Sequence, residues 1–183
     1  MMKEIYMKVQ TWRFTGRQSG MTLIEVISSL AVLALVVIGA LALFGSATTS
    51  QRSVQMTQDL TALRSSIRTL YPNGIYGVAA ADLRAIIISA GRVPTTMATA
   101  TPAINHPMGG TVTINVGAAT NNFVIVINNI PQAECVAIAT NTTGYTTVQF
   151  NGAAAQAVPI TAATATGGTG CTAGNNTMTF TSV

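Results

Sequence analysis

From Val26 to Phe44 the chain is aliphatic or aromatic at every position except Ser28, Ser29 and Gly39, and no charged side chain occurs between Glu25 and Arg52. A helix that is apolar all round must be buried on every side, in a bundle or in lipid. The stretch is long enough for a bilayer, whose hydrocarbon takes about 20 helical residues. The pattern then changes. Met56, Leu60, Leu63, Ile67 and Leu70 recur at spacings of 4, 3, 4 and 3, which is one helical stripe, with Gln51, Arg52, Gln55, Gln58, Arg64 and Arg68 around it. No proline occurs from Met21 to Tyr71, and Tyr71-Pro72-Asn73-Gly74 is a strong stop. The pattern predicts one long helix over 21–70, with an apolar half (21–46) and an amphipathic half (47–71).

The amphipathic stripe needs a cover, and residues 72–183 are the candidate. Strand signals lie at Thr111–Val116, after Gly109-Gly110, and at Phe123–Ile127, Tyr145–Phe150 and Thr177–Val183. Leu83–Ala90, ended by Gly91, and Pro131–Ala139, with proline near its first turn, read as short helices. Thr95–Thr101 reads as a low-complexity loop and 151–170 as an Ala/Gly/Thr-rich connection. The expected fold is α+β: a long N-terminal helix whose distal half packs on a mainly antiparallel sheet, with 72–183 as a globular head.

Composition sharpens this picture. Charged residues make up 8% of the chain, against about 25% in an ordinary soluble domain. Thr, Asn, Gly and Ala take over the surface role. The net charge of +4 comes mostly from the first 20 residues, where Lys3, Lys8, Arg13 and Arg17 outweigh Glu4. It therefore speaks of topology rather than of nucleic acid, because basic flanks stay cytoplasmic. Residues 1–20 are placed inside and the C-terminal bulk outside. A cleaved secretory signal would also begin basic and continue apolar, but its cut follows the apolar core. Gly45-Ser46-Ala47 is a weak match to such a site, so a retained helix is the reading.

Cys135 and Cys171 are the only cysteines. In a chain whose bulk lies outside the cytoplasm they predict one disulfide, with two buried thiols as the alternative. Catalysis finds no support. His106 is the only histidine, with no acid identifiable to orient it. Gly167-Gly168-Thr169-Gly170 lacks the lysine of a phosphate loop and reads as a flexible connection. Asp59, Asp82 and Glu134 are scattered and suggest no metal cluster. Arg84 and Arg92 read as solubilising charge. Asn141-Thr142-Thr143 and Asn175-Asn176-Thr177 read as unmodified surface turns. No catalytic residue, metal or cofactor is expected.

Three groups of residues carry a family resemblance. Arg17-Gln18-Ser19-Gly20 followed by Met21-Thr22-Leu23-Ile24-Glu25 and the uncleaved apolar helix resembles a type IV pilin precursor. The resemblance implies a 1–20 leader removed after Gly20 by a dedicated membrane peptidase, N-methylation of Met21, and an assembly role for Glu25, which matches the family's invariant carboxylate. Ile104-Asn105-His106-Pro107-Met108-Gly109-Gly110 resembles a turn of the type IVb subgroup, that of bundle-forming and conjugative thin-pilus pilins. His106 stands there for the usual Asn and Met108 for an aromatic. Pro131-Gln132-Ala133-Glu134-Cys135 resembles the subgroup's helix bearing its first disulfide cysteine.

The resemblance implies a structural subunit rather than an enzyme. It would be stored in the inner membrane with its N-terminus cytoplasmic, then polymerised into an extracellular helical filament for adhesion, aggregation or conjugative contact. Implied partners are further copies of the chain, the prepilin peptidase, inner-membrane assembly machinery and a host or cell-surface receptor. No specific nucleic-acid partner is implied. Rival readings are a minor pilin, a type II secretion pseudopilin, or a single-pass anchored extracytoplasmic binding module. Gly39, in the apolar half, is read as a site of close helix packing, with local melting during assembly as the sharper alternative.

Overall fold

A computed structural model describes residues 20–183. The chain forms two compact units that divide between Ala42 and Leu43. Helix α1 (Leu23–Leu70) contributes to both. At its start the Thr22 carbonyl accepts from the N–H of Glu25 (3.0 Å) and of Val26 (3.1 Å). In the N-terminal unit Ser28 Oγ donates to the Glu25 carbonyl (3.0 Å) and Ser29 Oγ to that of Val26 (2.9 Å). Both hydroxyls are thus satisfied within the helix, which is what an apolar surrounding demands. The far end stops as its sequence requires. Tyr71 N–H still reaches the Ile67 carbonyl, then Pro72 intervenes and Gly74 turns with φ +66°.

In the second unit Met56, Leu60, Leu63 and Ile67 are buried, so the predicted stripe is the helical half of the core. After the stop, α2 (Arg84–Ser89) leads into β1 (Ala98–Ala100) and β2 (Ala103–Asn105). Next come β3 (Thr111–Val116) and β4 (Phe123–Ile130). Helix α3 (Gln132–Asn141) follows, then β5 (Thr147–Phe150), β6 (Gln156–Ala157), α4 (Ala162–Thr166) and β7 (Asn176–Ser182). The strands form a seven-stranded sheet in the order β1-β2-β3-β4-β7-β5-β6, with every pairing antiparallel. The C-terminal strand is therefore central, registered with Ile125 opposite Phe180 on one side and Val148 opposite Phe180 on the other.

Side chains alternate along these strands with period two. Val112, Ile114, Val116, Phe123, Ile125, Ile127, Val148, Phe150, Met178 and Phe180 point inward and share one core with the α1 stripe. The opposite face carries Thr111, Thr113, Thr147, Thr177, Thr179 and Thr181, all partly exposed. Thr181 sits opposite Thr147, and Thr179 opposite Gln149. Threonine suits a half-solvated pleated surface because its branched Cβ favours the strand and its hydroxyl meets water. That face explains how the head needs so little charge.

Three segments differ from the sequence expectation. Thr95–Thr101 is not all loop: Ala98–Ala100 pairs with Ala103–Asn105 as the edge of the sheet. Such a short edge has no side-chain alternation to read. The 151–170 connection contains β6 and α4; α4 is capped by Thr161, whose Oγ1 accepts from Thr164 N–H at 3.2 Å. Gly170 is also not a free hinge, because a Cβ there would collide with the Ala165 carbonyl. Tyr145 precedes its strand rather than opening it.

Candidate functional site

The N-terminal unit presents the residues expected to serve processing and assembly. Gly20, Met21 and Thr22 precede the helix, and Glu25 lies in its first turn. A Cβ at Gly20 would meet nothing within 4 Å among the described residues, so packing against them does not require glycine there. Met21 is 68% exposed, and Glu25 is exposed with no ion-pair partner among the described residues. A carboxylate in the first turn faces the positive end of the helix dipole, a favourable placement worth about 0.3–1 kcal/mol at a surface. From Leu23 to Phe44 the large apolar side chains stand exposed. The helix has the length and composition to cross a membrane. Gly39 has open space around it, as a point of close approach would need before a neighbour arrives. The expected leader, apart from Gly20, lies outside the described residues.

The head holds the second set. Cys135 in α3 and Cys171 after α4 form a disulfide, with Cα atoms 6.0 Å apart. Beside it Asn176 is fully buried, and its amide satisfies several backbone groups at once. Its Oδ1 accepts from Thr172 N–H (2.7 Å) and Asn151 Nδ2 (2.8 Å), while its Nδ2 donates to the carbonyls of Ile130, Thr172 and Gly174. Asn175-Asn176-Thr177 is thus not simply a surface turn. The signal that could have exposed this is an Asn at the very start of an alternating strand, where a loop must be tied down.

The turn after β2 is built around His106, which is 3% exposed. The imidazole Nε2 lies 2.8 Å from the Asn128 carbonyl, and Nδ1 accepts from Met108 N–H at 3.3 Å. Burial pushes its pKa below 6.5, with the Asn128 carbonyl acting the other way. Pro107 and Met108 line an open groove of about 640 Å³ with Arg52, Val54, Gln55 and Met56 of α1. Met56 thus belongs to the core yet also reaches the groove. Asp59 is buried and satisfied by Gln55 Nε2 (3.0 Å) and Thr96 Oγ1 (2.8 Å). Arg84 is engaged locally with Asp82 at 2.8 Å, and that guanidinium holds the Asp82 carboxyl below its usual range. Among the described residues no His, Cys, Asp or Glu cluster could hold a metal ion.

Comparison with known proteins places this arrangement. Residues 15–41 match the prokaryotic N-terminal methylation motif. The crystal structure of TcpA, a type IV pilin from Vibrio cholerae El Tor biotype, aligns with a TM-score of 0.51 at 21% identity, over 73% of this chain and 99% of that one. A pilin fold carried behind a methylation motif and an apolar helix defines a type IV pilin precursor. Residues 50–183 match the family described as PilS N terminal, and the chain belongs to that family. No curated protein matches the sequence. Fold and family are those of structural pilins.

Proposed function

We propose that the chain is the structural subunit of a type IVb-like pilus. In this reading 1–20 is a leader, 21–46 the membrane and filament-core helix, 47–71 the distal helix and 72–183 the head. The observation that carries the reading is Glu25, a carboxylate with no ion-pair partner among the described residues, at the start of a helix whose apolar side chains stand exposed. A carboxylate placed among packed apolar helices needs a cation or loses its charge. Cleavage after Gly20 would make one, because the amide nitrogen of Met21 becomes an amine. N-methylation keeps that amine basic. Glu25 of one copy can then meet Met21 of the same or a neighbouring copy, so that only processed chains bury a neutralised pair.

The proposed sequence of events follows. The precursor waits in the inner membrane with its leader cytoplasmic. The prepilin peptidase removes the leader, and the assembly machinery adds the subunit to a helical filament. Threonine-rich heads would face the surroundings, where adhesion, aggregation or conjugative contact takes place. N-terminal mass spectrometry of the membrane fraction and of sheared filaments tests this directly. Chains beginning at methylated Met21 support it. Filaments whose chains begin at Met1 overturn it, and membrane-bound chains that keep Met1 without forming filaments favour a single-pass anchored module. Absence from sheared filaments, with processing intact, points instead to a minor pilin or pseudopilin.

A further inference from the structure

His106 ends the β2 strand region and starts a turn that is fastened from across the sheet. The β4 strand leaves register between Ile127 and Ile130, and Asn129 adopts φ 58°. This bulge turns two asparagines toward the 106–110 turn. Asn128 Oδ1 accepts from Thr111 N–H at 2.7 Å, and its Nδ2 donates to Thr111 Oγ1 at 2.8 Å. Asn129 Nδ2 donates to the Gly109 carbonyl at 3.2 Å. The imidazole completes the fastening. A carbonyl only accepts and a backbone N–H only donates, so contact with Asn128 O and Met108 N–H requires the proton on Nε2 and a bare Nδ1. Gly110 makes room for this: a Cβ there would fall on His106 Nε2 and on the Asn128 carbonyl.

We propose that His106 is an acid-sensitive latch, in which protonation of Nδ1 sets a donor against the Met108 N–H and frees the main chain of the Pro107–Gly109 tip from the ring, while Nε2 keeps its bond to the Asn128 carbonyl of β4. The tip is one wall of the groove along α1, so its release reshapes that groove. Among the described residues no acid pairs with the ring. Strands β2, β3 and β4 contain no Asp, Glu, Lys or Arg. Nor does the turn itself. On α1 the ionisable side chain lining the same groove is Arg52, a cation. Asp59 is taken up by Gln55 and Thr96. Burial also holds the imidazole pKa below 6.5, so the latch stays closed at neutral pH.

The test uses the full chain, isotope-labelled, in detergent micelles. The ring nitrogen shifts and the amide protection factors of Met108 and Gly109 are followed between about pH 7 and about pH 4.5, the range in which histidine titrates. The neutral ring should carry its proton on Nε2. As it titrates, protection at Met108 and Gly109 should fall about tenfold, while Val148 and Phe180 keep theirs. His106→Gln can still donate toward Asn128 but does not titrate, and it should show no such step. Protection unchanged through the titration, the same step in His106→Gln, or a neutral ring protonated on Nδ1 would overturn the latch. If His106→Gln does not fold, coincidence of the ring titration with the loss of protection in the unmodified chain decides.

Discussion

The phenol of Tyr145 donates to the main-chain carbonyl of Leu60 at 2.7 Å, joining positions 85 residues apart in sequence. The bond ties the segment before β5 to the middle of the buried helical stripe. Arg64, one turn further along α1, lies over the same ring at 5.9 Å and donates from Nε to Ser182 Oγ at 2.9 Å. A helix position that looks like plain surface polarity therefore joins α1 to the C-terminal strand. Burial pushes the Tyr145 hydroxyl far above its ordinary pKa, so it remains a donor across the accessible pH range.

Tyr145→Phe removes only the donor. The Leu60 carbonyl keeps its place in the helical ladder, so the loss should be about 1 kcal/mol, the usual net value of one hydrogen bond. Denaturant unfolding of the micelle-bound chain measures it. A variant as stable as the parent would show that the bond contributes nothing net.

The disulfide spans 36 positions. Chain-entropy arguments give a bridge of that span about 3–4 kcal/mol. Replacing both Cys135 and Cys171 by Ser should lower the unfolding midpoint accordingly. The α1–sheet core should persist, because its residues lie mostly outside the bridged loop and Asn176 still ties the Thr172–Gly174 backbone. Retained protection at Ile125 and Phe180, together with increased exchange in α4, is the expected pattern in hydrogen exchange. Uniform loss of protection would contradict it.

How much of this could be read from the chain depends on the range of the forces involved. The helix, its change of character and its stop are local in origin: an unbroken apolar run, a 3.6-residue stripe and Pro72 with Gly74. The structure ends α1 at Leu70 accordingly. Strands β3 and β7 were legible because one face is buried and the other is threonine, with Asn115 as the exception in β3. The edge strand β1 and the short β6 were not, since each exists only by pairing with a neighbour. The residues proposed for processing and assembly stand out through a charge beside an apolar run. The roles of His106, Asn128, Asn176 and Tyr145 depend on partners distant in sequence, which no local pattern records.

Two glycines should respond oppositely to alanine. At Gly110 the new Cβ collides with backbone at Asn128 and with the His106 ring. The expected cost is about 1–3 kcal/mol, typical of forced overpacking. Gly39 has nothing within 4 Å, and alanine favours a helix over glycine by about 1 kcal/mol in water. Gly39→Ala should therefore leave the isolated subunit folded, but reduce filament yield if neighbouring helices approach there. Normal yield would remove Gly39 from the packing role.

Stability should fall with acid in two stages. Below pH 6.5 the unfolded His106 takes up a proton that the folded ring resists. Unfolding is then favoured as pH drops from 6.5 toward the lower folded pKa, and nothing changes above 6.5. The Asp82 carboxyl, held below 3.8 chiefly by its hydrogen bond from Arg84, contributes above that pH and loses its contribution as pH falls further. His106→Gln should abolish the upper stage alone. Thermal unfolding as a function of pH separates the two, and an unchanged upper stage in the variant would assign it to another group.

The last expectation concerns Glu25 and Gly20, which act at different steps. Glu25→Val makes the apolar helix more compatible with lipid, so the precursor should still insert and be cleaved. What it loses is the partner for the Met21 amine. A buried charge stripped of its partner costs about 3–5 kcal/mol, enough to make incorporation rare. The variant should accumulate as processed, methylated subunit in the membrane with few filaments. Gly20→Asp should stop the chain earlier. An added Cβ there meets nothing among the described residues, so folding should be intact while the leader remains. Immunoblots for leader removal and quantification of sheared filaments distinguish the two defects. A normal filament yield from Glu25→Val, or a leader-free product from Gly20→Asp, would remove the corresponding residue from its role. A combined variant should behave like Gly20→Asp alone, because an amide at Met21 has no charge for Glu25 to meet.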